Sequence, residues 1–182
     1  TLAFLLDGHL MSQEQAEQII IHLCRALQVL HGIGAVHRDI KPENIILRGS
    51  DAVLIDFDAS RLCKTGNDTD TRIMGTTGYA APEQYGFAAS DVRTDIFGLG
   101  KLIERMLPDN ADAARIVEKA THMDPKKRYS SAAQIREQIA YRQRNAKEHE
   151  NFTISRKIGD EEYFMYIEEV SGVPTRFFVT CR

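Results

Sequence analysis

The sequence has no Cys-x-x-Cys pair, and its three cysteines, Cys24, Cys63 and Cys181, lie far apart. This excludes the ligand spacing of a structural zinc site and a disulfide framework, and it fits reduced thiols buried as small apolar side chains in a cytosolic setting. A basic excess is also missing. With 23 Lys and Arg against 26 Asp and Glu, the formal net charge is -3, which argues against nucleic acid or an anionic membrane as a partner. Nor is any apolar run long enough to cross a bilayer: Ile19 to Val36, the most apolar region, is interrupted by His22, Arg25, Gln28 and His31. Internal repeats and low-complexity tracts are absent. The chain opens at Thr1 with neither an initiator Met nor a basic-then-apolar leader, so a fragment of a longer protein is expected.

What is present suits one main core, with 43% of the 182 residues hydrophobic. Ser12 and Gln15 form a capping-box pattern ahead of Ala16, Ile19, Ile20, Leu23, Leu27 and Leu30, which recur at helical spacing until His31-Gly32. Short strands are expected at Ala35-Val36, Ile45 to Leu47 and Ala52 to Ile55, the last two joined by the turn Arg48-Gly49-Ser50-Asp51. Cys63 to Gly78, rich in Thr, Asp, Asn and Gly, reads as an exposed loop. Helices are expected from Asp91 to Leu107, from Ala111 to Met123, and from a second capping box at Ser131 and Gln134 toward Arg144, so the main domain is mainly α. The polar stretch 145–151 reads as a linker. Beyond it, Phe152 to Ile158, Tyr163 to Val170 and Arg176 to Cys181 read as strands of a small β-rich tail or the start of a further domain.

His37-Arg38-Asp39-Ile40-Lys41-Pro42-Glu43-Asn44 resembles the catalytic loop of the protein kinases, in the form usual for serine/threonine enzymes. Phosphoryl transfer asks for a carboxylate to position the attacking hydroxyl, a cation to offset charge on the moving phosphoryl, and oxygen ligands for magnesium. The resemblance implies Asp39 for the first task and Lys41, reaching the γ-phosphate of ATP, for the second. Asn44 would offer Mg²⁺ an uncharged oxygen. Asp56-Phe57-Asp58 stands where the family has Asp-Phe-Gly. This implies Asp56 as the main magnesium ligand, Phe57 as a residue packing toward the other lobe and His37 as a buried structural residue. Asp58 is a departure: glycine permits backbone conformations that cost other residues, and a third negative charge crowds the metal.

Gly75-Thr76-Thr77-Gly78-Tyr79-Ala80-Ala81-Pro82-Glu83 resembles the end of a kinase activation segment. Thr76 is thereby implied to bond Asp39 and Lys41, and this residue choice points to Ser/Thr rather than Tyr acceptors. Thr65, Thr69, Thr71 and Thr77 share the loop, and phosphorylation near Thr69 or Thr71 is expected to order it through Arg38. Asp95 matches the family's buried Asp that ties down the catalytic-loop backbone. Arg128 matches the Arg that pairs with the closing-motif Glu, here Glu83. Between Leu107 and Ala111 stand only Pro108-Asp109-Asn110, where kinases place a docking helix, which puts protein-substrate recognition in question.

Over Thr1 to Arg144 the chain is thus similar to the large C-terminal lobe of a Hanks-type serine/threonine kinase, and Ala80 to Gly86 look like bacterial members of that family. No Gly-rich loop, strand Lys or helix Glu precedes the catalytic loop. The small lobe is therefore expected upstream, and the isolated chain is expected to be weak or inactive. The implied cofactors are ATP and Mg²⁺, the implied partner is a protein substrate with a Ser or Thr acceptor, and the implied location is the cytoplasm. The alternative is a pseudokinase or remnant lobe acting as a protein-binding scaffold, with a tyrosine kinase behind it.

Overall fold

Ser12 opens helix α2 (Gln13–Gly32) with a reciprocal cap: its Oγ accepts from Gln15 N–H at 3.2 Å, and Gln15 Oε1 accepts from Ser12 N–H at 3.0 Å. The helical spacing of Ala16, Ile19, Ile20, Leu23 and Leu27 turns all five inward, and each is buried. The structure is a computed structural model. It describes residues 1–8, 10–49, 51–62, 75–86, 89–150, 153–158, 161–170 and 173–181, with side chains through 144. A short helix α1 (Leu2–Asp7) precedes α2; at six residues it is too brief for periodicity to reveal.

After α2 the chain forms two small antiparallel pairs. β1 (Ala35–Val36) pairs with β4 (Arg61–Leu62), and β2 (Ile45–Arg48) with β3 (Asp51–Leu54), Ile45 lying opposite Leu54. Helix α3 (Val92–Met106) is capped by Asp91, whose Oδ1 accepts from Arg93 N–H at 2.7 Å, and α4 (Ala111–Ala120) by Asn110, whose Oδ1 accepts from Ala113 N–H at 2.9 Å. α4 ends three residues before the expected Met123, where Thr121 leaves helical geometry and its hydroxyl donates to the Val117 carbonyl at 2.8 Å. Pro108-Asp109-Asn110 join α3 directly to α4. The two helices touch closely at Gly100, where a Cβ would lie 2.7 Å from Ala120 Cβ and 2.8 Å from Thr121 Cγ2.

Helix α5 (Ala132–Glu150) differs from expectation at both ends. Gln134 Oε1 accepts from Ser130 N–H at 3.0 Å, one residue earlier than the expected partner Ser131. At the other end, positions 145–150, expected to be linker, continue the helix. The stretch contains Ala, Lys and Glu and no Gly or Pro, so its composition favours a continuing helix over a break. The chain divides into two compact units, Thr1–Gln138 and Ile139–Arg182. The second contains an antiparallel sheet in the order β5 (Thr153–Ile158), β6 (Glu161–Val170), β7 (Val173–Cys181), with an irregularity between Glu168 and Glu169 beside Pro174, which has no N–H to give the ladder. The architecture is mainly α with short hairpins, as expected. Among the described residues no helix is long and apolar enough to cross a membrane.

Candidate active site

β1 leads into the loop His37 to Lys41, which Asp95 holds by its backbone. Asp95 lies in the first turn of α3 and is 1% exposed. Its Oδ2 accepts from His37 N–H at 2.9 Å and its Oδ1 from Arg38 N–H at 2.7 Å. A carboxylate only accepts, so His31 Nε2, 2.8 Å from Asp95 Oδ2, is a third donor. These bonds help hold Arg38 at φ 69. Such a left-handed conformation costs a non-glycine residue about 1–3 kcal/mol and persists where the surroundings over-determine it. Gly98 lets α3 approach the loop: a Cβ there would lie 3.0 Å from Ile40 Cβ and 3.3 Å from the Ile40 carbonyl oxygen.

His37 is fully buried, and its two ring nitrogens have different partners. The Ile55 carbonyl, 3.1 Å from Nε2, can only accept, whereas Asp39 N–H, 3.4 Å from Nδ1, can only donate. Together they select the neutral tautomer with its proton on Nε2. The Phe57 ring packs edge-on against His37 at a centroid distance of 4.9 Å.

The Asp39 carboxylate gathers three donors. Oδ1 accepts from the Thr76 hydroxyl at 2.8 Å; Oδ2 accepts from Asn44 Nδ2 at 3.0 Å and lies 2.6 Å from Lys41 Nζ. Lys41 Nζ also donates to Thr76 Oγ1 at 2.8 Å, and Asn44 Nδ2 to the Asp39 carbonyl at 3.0 Å. Burial pushes the Asp39 carboxyl up, but hydrogen bonds from Lys41 and Thr76, the Lys41 charge and the Asn44 amide outweigh it and hold the group below its ordinary value. Asp39 is therefore ionised at neutral pH.

The β2–β3 hairpin brings Asp56 beside Asn44, with Ile55 N–H donating to the Asn44 carbonyl at 2.9 Å. Because Nδ2 of Asn44 is turned to Asp39, its Oδ1 is the oxygen left for another partner. Asp56 is exposed, and its carboxylate receives a long contact of 3.4 Å from Asp58 N–H. One carboxylate and one amide oxygen are hard donors that suit Mg²⁺, whose remaining ligands are ordinarily waters and substrate phosphates. Among the described residues no group of three or more His, Cys, Asp or Glu could hold a metal ion instead. Positive φ falls on Asp56, at 63, and not on Asp58. The backbone cost expected for a non-glycine residue at 58 is thus absent, because the left-handed residue comes two positions earlier.

A 3-10 turn, Pro82–Tyr85, anchors the end of the segment that bears Thr76. Glu83 Oε1 and Oε2 meet Arg128 NH1 and NH2 at 2.7 and 2.9 Å, both side chains almost fully enclosed, and Thr94 Oγ1 adds a donor to Oε1 at 2.9 Å. The Arg38 side chain donates from Nε to the Ala59 carbonyl at 2.7 Å. Thr65, Thr69 and Thr71 lie outside the described residues.

Residues 2–152 match the protein kinase domain. The chain belongs to the protein kinase family. Serine/threonine-protein kinase D of Synechocystis is 36% identical over 154 aligned residues, covering 67% of this kinase chain and 30% of that protein. Serine/threonine-protein kinase PknB of Mycobacterium tuberculosis is 29% identical over 161, covering 69% of this chain and 26% of that protein. PknB of Mycolicibacterium smegmatis is 38% identical over 105, covering 56% and 17%. The resemblance is to serine/threonine kinases of bacterial type, and the chain spans under a third of the length of these relatives.

The structure brings His37, Arg38, Asp39, Lys41, Asn44, Phe57, Thr76 and Asp95 into one hydrogen-bonded or packed network, while Glu83 and Arg128 form a pair of their own. Sequence reasoning missed several members of this network. His31 read only as the stop of α2, yet it completes the Asp95 shell. Gln84 follows the closing motif with no motif of its own, yet its side chain reaches the catalytic loop. Gly98 gave a signal, a glycine inside a helical pattern, whose packing reason needs the partner in view.

Proposed function

We propose that residues 1–144 form the large lobe of a serine/threonine protein kinase and position a Ser or Thr hydroxyl of a protein substrate for attack on ATP. The observation that carries this reading is the Thr76 hydroxyl, an alcohol held between Asp39 Oδ1 and Lys41 Nζ at 2.8 Å from each. A substrate hydroxyl needs the same two partners. Asp39, ionised at neutral pH, orients that alcohol and takes its proton on a carboxylate oxygen. Its low proton affinity makes it a weak base, so positioning is its larger contribution. Lys41, 2.6 Å from Asp39 Oδ2, offsets negative charge at the same spot. Asn44 fixes the Asp39 side chain through its amide nitrogen and, with Asp56, would hold Mg²⁺. Bound Mg-ATP supplies the transferable phosphoryl group and neutralises charge on the phosphate oxygens.

In this reading a small lobe outside the 182 residues covers the α- and β-phosphates, the enzyme works in the cytoplasm, and phosphate added near Thr69 or Thr71 orders the activation loop. The full-length protein incubated with labelled ATP and Mg²⁺ should incorporate phosphate on Ser or Thr. Incorporation should vanish in Asp56→Ala and fall by about 10²–10⁴ in Asp39→Asn. Undiminished incorporation in both variants would refute the assignment. Tight partner binding by a wild type that turns over no ATP would favour the scaffold instead.

A further inference from the structure

The peptide unit between Arg38 and Asp39 carries the candidate base and is pinned at both ends. Its N–H donates to His37 Nδ1 at 3.4 Å, and its carbonyl accepts from Gln84 Nε2 at 2.7 Å. The same Gln84 side chain accepts from Ala81 N–H through Oε1 at 2.9 Å. One amide therefore ties the turn after the closing motif to the catalytic loop, 46 residues away in sequence. Gln84 is 3% exposed, so water has little access to replace either bond. Gly75 makes room for it: φ there is 118, and a Cβ would lie 2.8 Å from Gln84 Nε2 and 2.7 Å from Ala80 Cβ.

The tie falls where the backbone most needs one. Arg38 is left-handed, at φ 69, and Asp95 restrains only its N–H side. With the Arg38 carbonyl unheld, this peptide unit can turn about ψ of Arg38 and φ of Asp39, which carries the Asp39 side chain away from Thr76 and Lys41 while Asp95 still holds the Arg38 N–H. The neighbouring side chains divide two tasks: Glu83 joins the segment to Arg128, and Gln84 joins it to the loop.

We propose that Gln84 is a positioning residue for phosphoryl transfer, its amide locking the Arg38 carbonyl and so coupling the end of the activation segment to the placement of Asp39. This rests on the reading of Asp39 given above. Gln84→Glu separates the two bonds. Its carboxylate still accepts from Ala81 N–H but cannot donate to the Arg38 carbonyl, whereas a protonated carboxyl can. Burial opposite a carbonyl oxygen favours that protonated form as pH falls.

In the full-length protein, kcat of Gln84→Glu should drop by about 10²-fold at about pH 8, with KM for ATP within roughly twofold, and recover toward wild type at about pH 6. Gln84→Leu should be slow at both pH values. Amide hydrogen exchange across residues 37–41, measured without ATP, should quicken by at least about tenfold in Gln84→Leu while α2 is unchanged. A segment-only structural role for Gln84 would not move that exchange. The proposal is overturned if Gln84→Leu leaves both kcat and this exchange at wild-type values, or if Gln84→Glu loses the same factor at both pH values. If the wild type transfers no phosphate, the kinase reading fails, and exchange across 37–41 still decides the clamp.

Discussion

Arg128→Met keeps most of the side chain's reach and removes a guanidinium whose donors are all engaged inside the protein. NH1 and NH2 bond Glu83 at 2.7 and 2.9 Å, Nε bonds the His122 carbonyl at 2.7 Å, and the Arg93 and Met123 carbonyls accept at 3.0 and 3.3 Å. The group also lies 4.9 Å from the Phe97 ring centroid. In the variant, Glu83, 4% exposed, keeps the Thr94 hydroxyl but loses its counter-charge. Breaking a buried pair on one side costs about 3–5 kcal/mol. For a unit the size of Thr1–Gln138, at roughly 4 °C per kcal/mol, Tm should fall by roughly 12–20 °C. Thermal and urea unfolding followed by circular dichroism would measure this. Adding Glu83→Gln removes the stranded charge, so the double variant should be more stable than the sum of the single losses by at least about 1 kcal/mol. A loss below about 1 kcal/mol in Arg128→Met would place the pair with exposed ion pairs and refute the burial argument.

Gly100→Ala should lower urea stability by about 1–3 kcal/mol despite alanine's better helix propensity, because the added methyl meets Ala120 and Thr121; a stabilised variant would show that α3 and α4 have slack there. Burial pushes the Cys24 thiol up to about 12, so a thiol reagent should label it only as fast as the native state opens, read by peptide mass spectrometry; immediate labelling would contradict its burial. For Asp39 the folded-state pKa lies below the unfolded one. Its pairing therefore adds stability that is complete above the ordinary carboxylate value of about 3.9 and is lost as pH falls through the lower folded value. The stability gap between wild type and Lys41→Met should accordingly shrink from neutral pH toward pH 3, and a constant gap would exclude Lys41 as the partner that lowers Asp39.

Helix α2 was legible because a capping box and a run of inward apolar residues coincide, and the β2–β3 hairpin because turn residues separate two β-prone pieces. α5 was legible only in its first part. From Gln143 to Glu150 Ala146 is the single apolar residue, so no apolar periodicity distinguishes a helix from a linker there. Asp39, Lys41, Asn44 and Thr76 were legible together because they stand in short motifs whose order is itself informative. His31 and Gln84 were not, since single polar residues at helix ends or after a motif carry no periodicity and no spacing. The cost foreseen for Asp58 was misplaced by two residues because a motif names residue types and not torsion angles.

By itself the sequence determined the family, the mainly α class and which oxygens and cations are candidates for the site, since these follow from residue chemistry and local order. The tertiary structure alone decided how they are held. Asp95 of α3, backed by His31 of α2, and Gln84 of the turn Pro82–Tyr85 converge on the loop around the left-handed Arg38, and Gly98 lets that loop lie against α3. These contacts join positions 46 to 64 residues apart, and hydrogen bonds over such separations exist only once the core has brought the elements together.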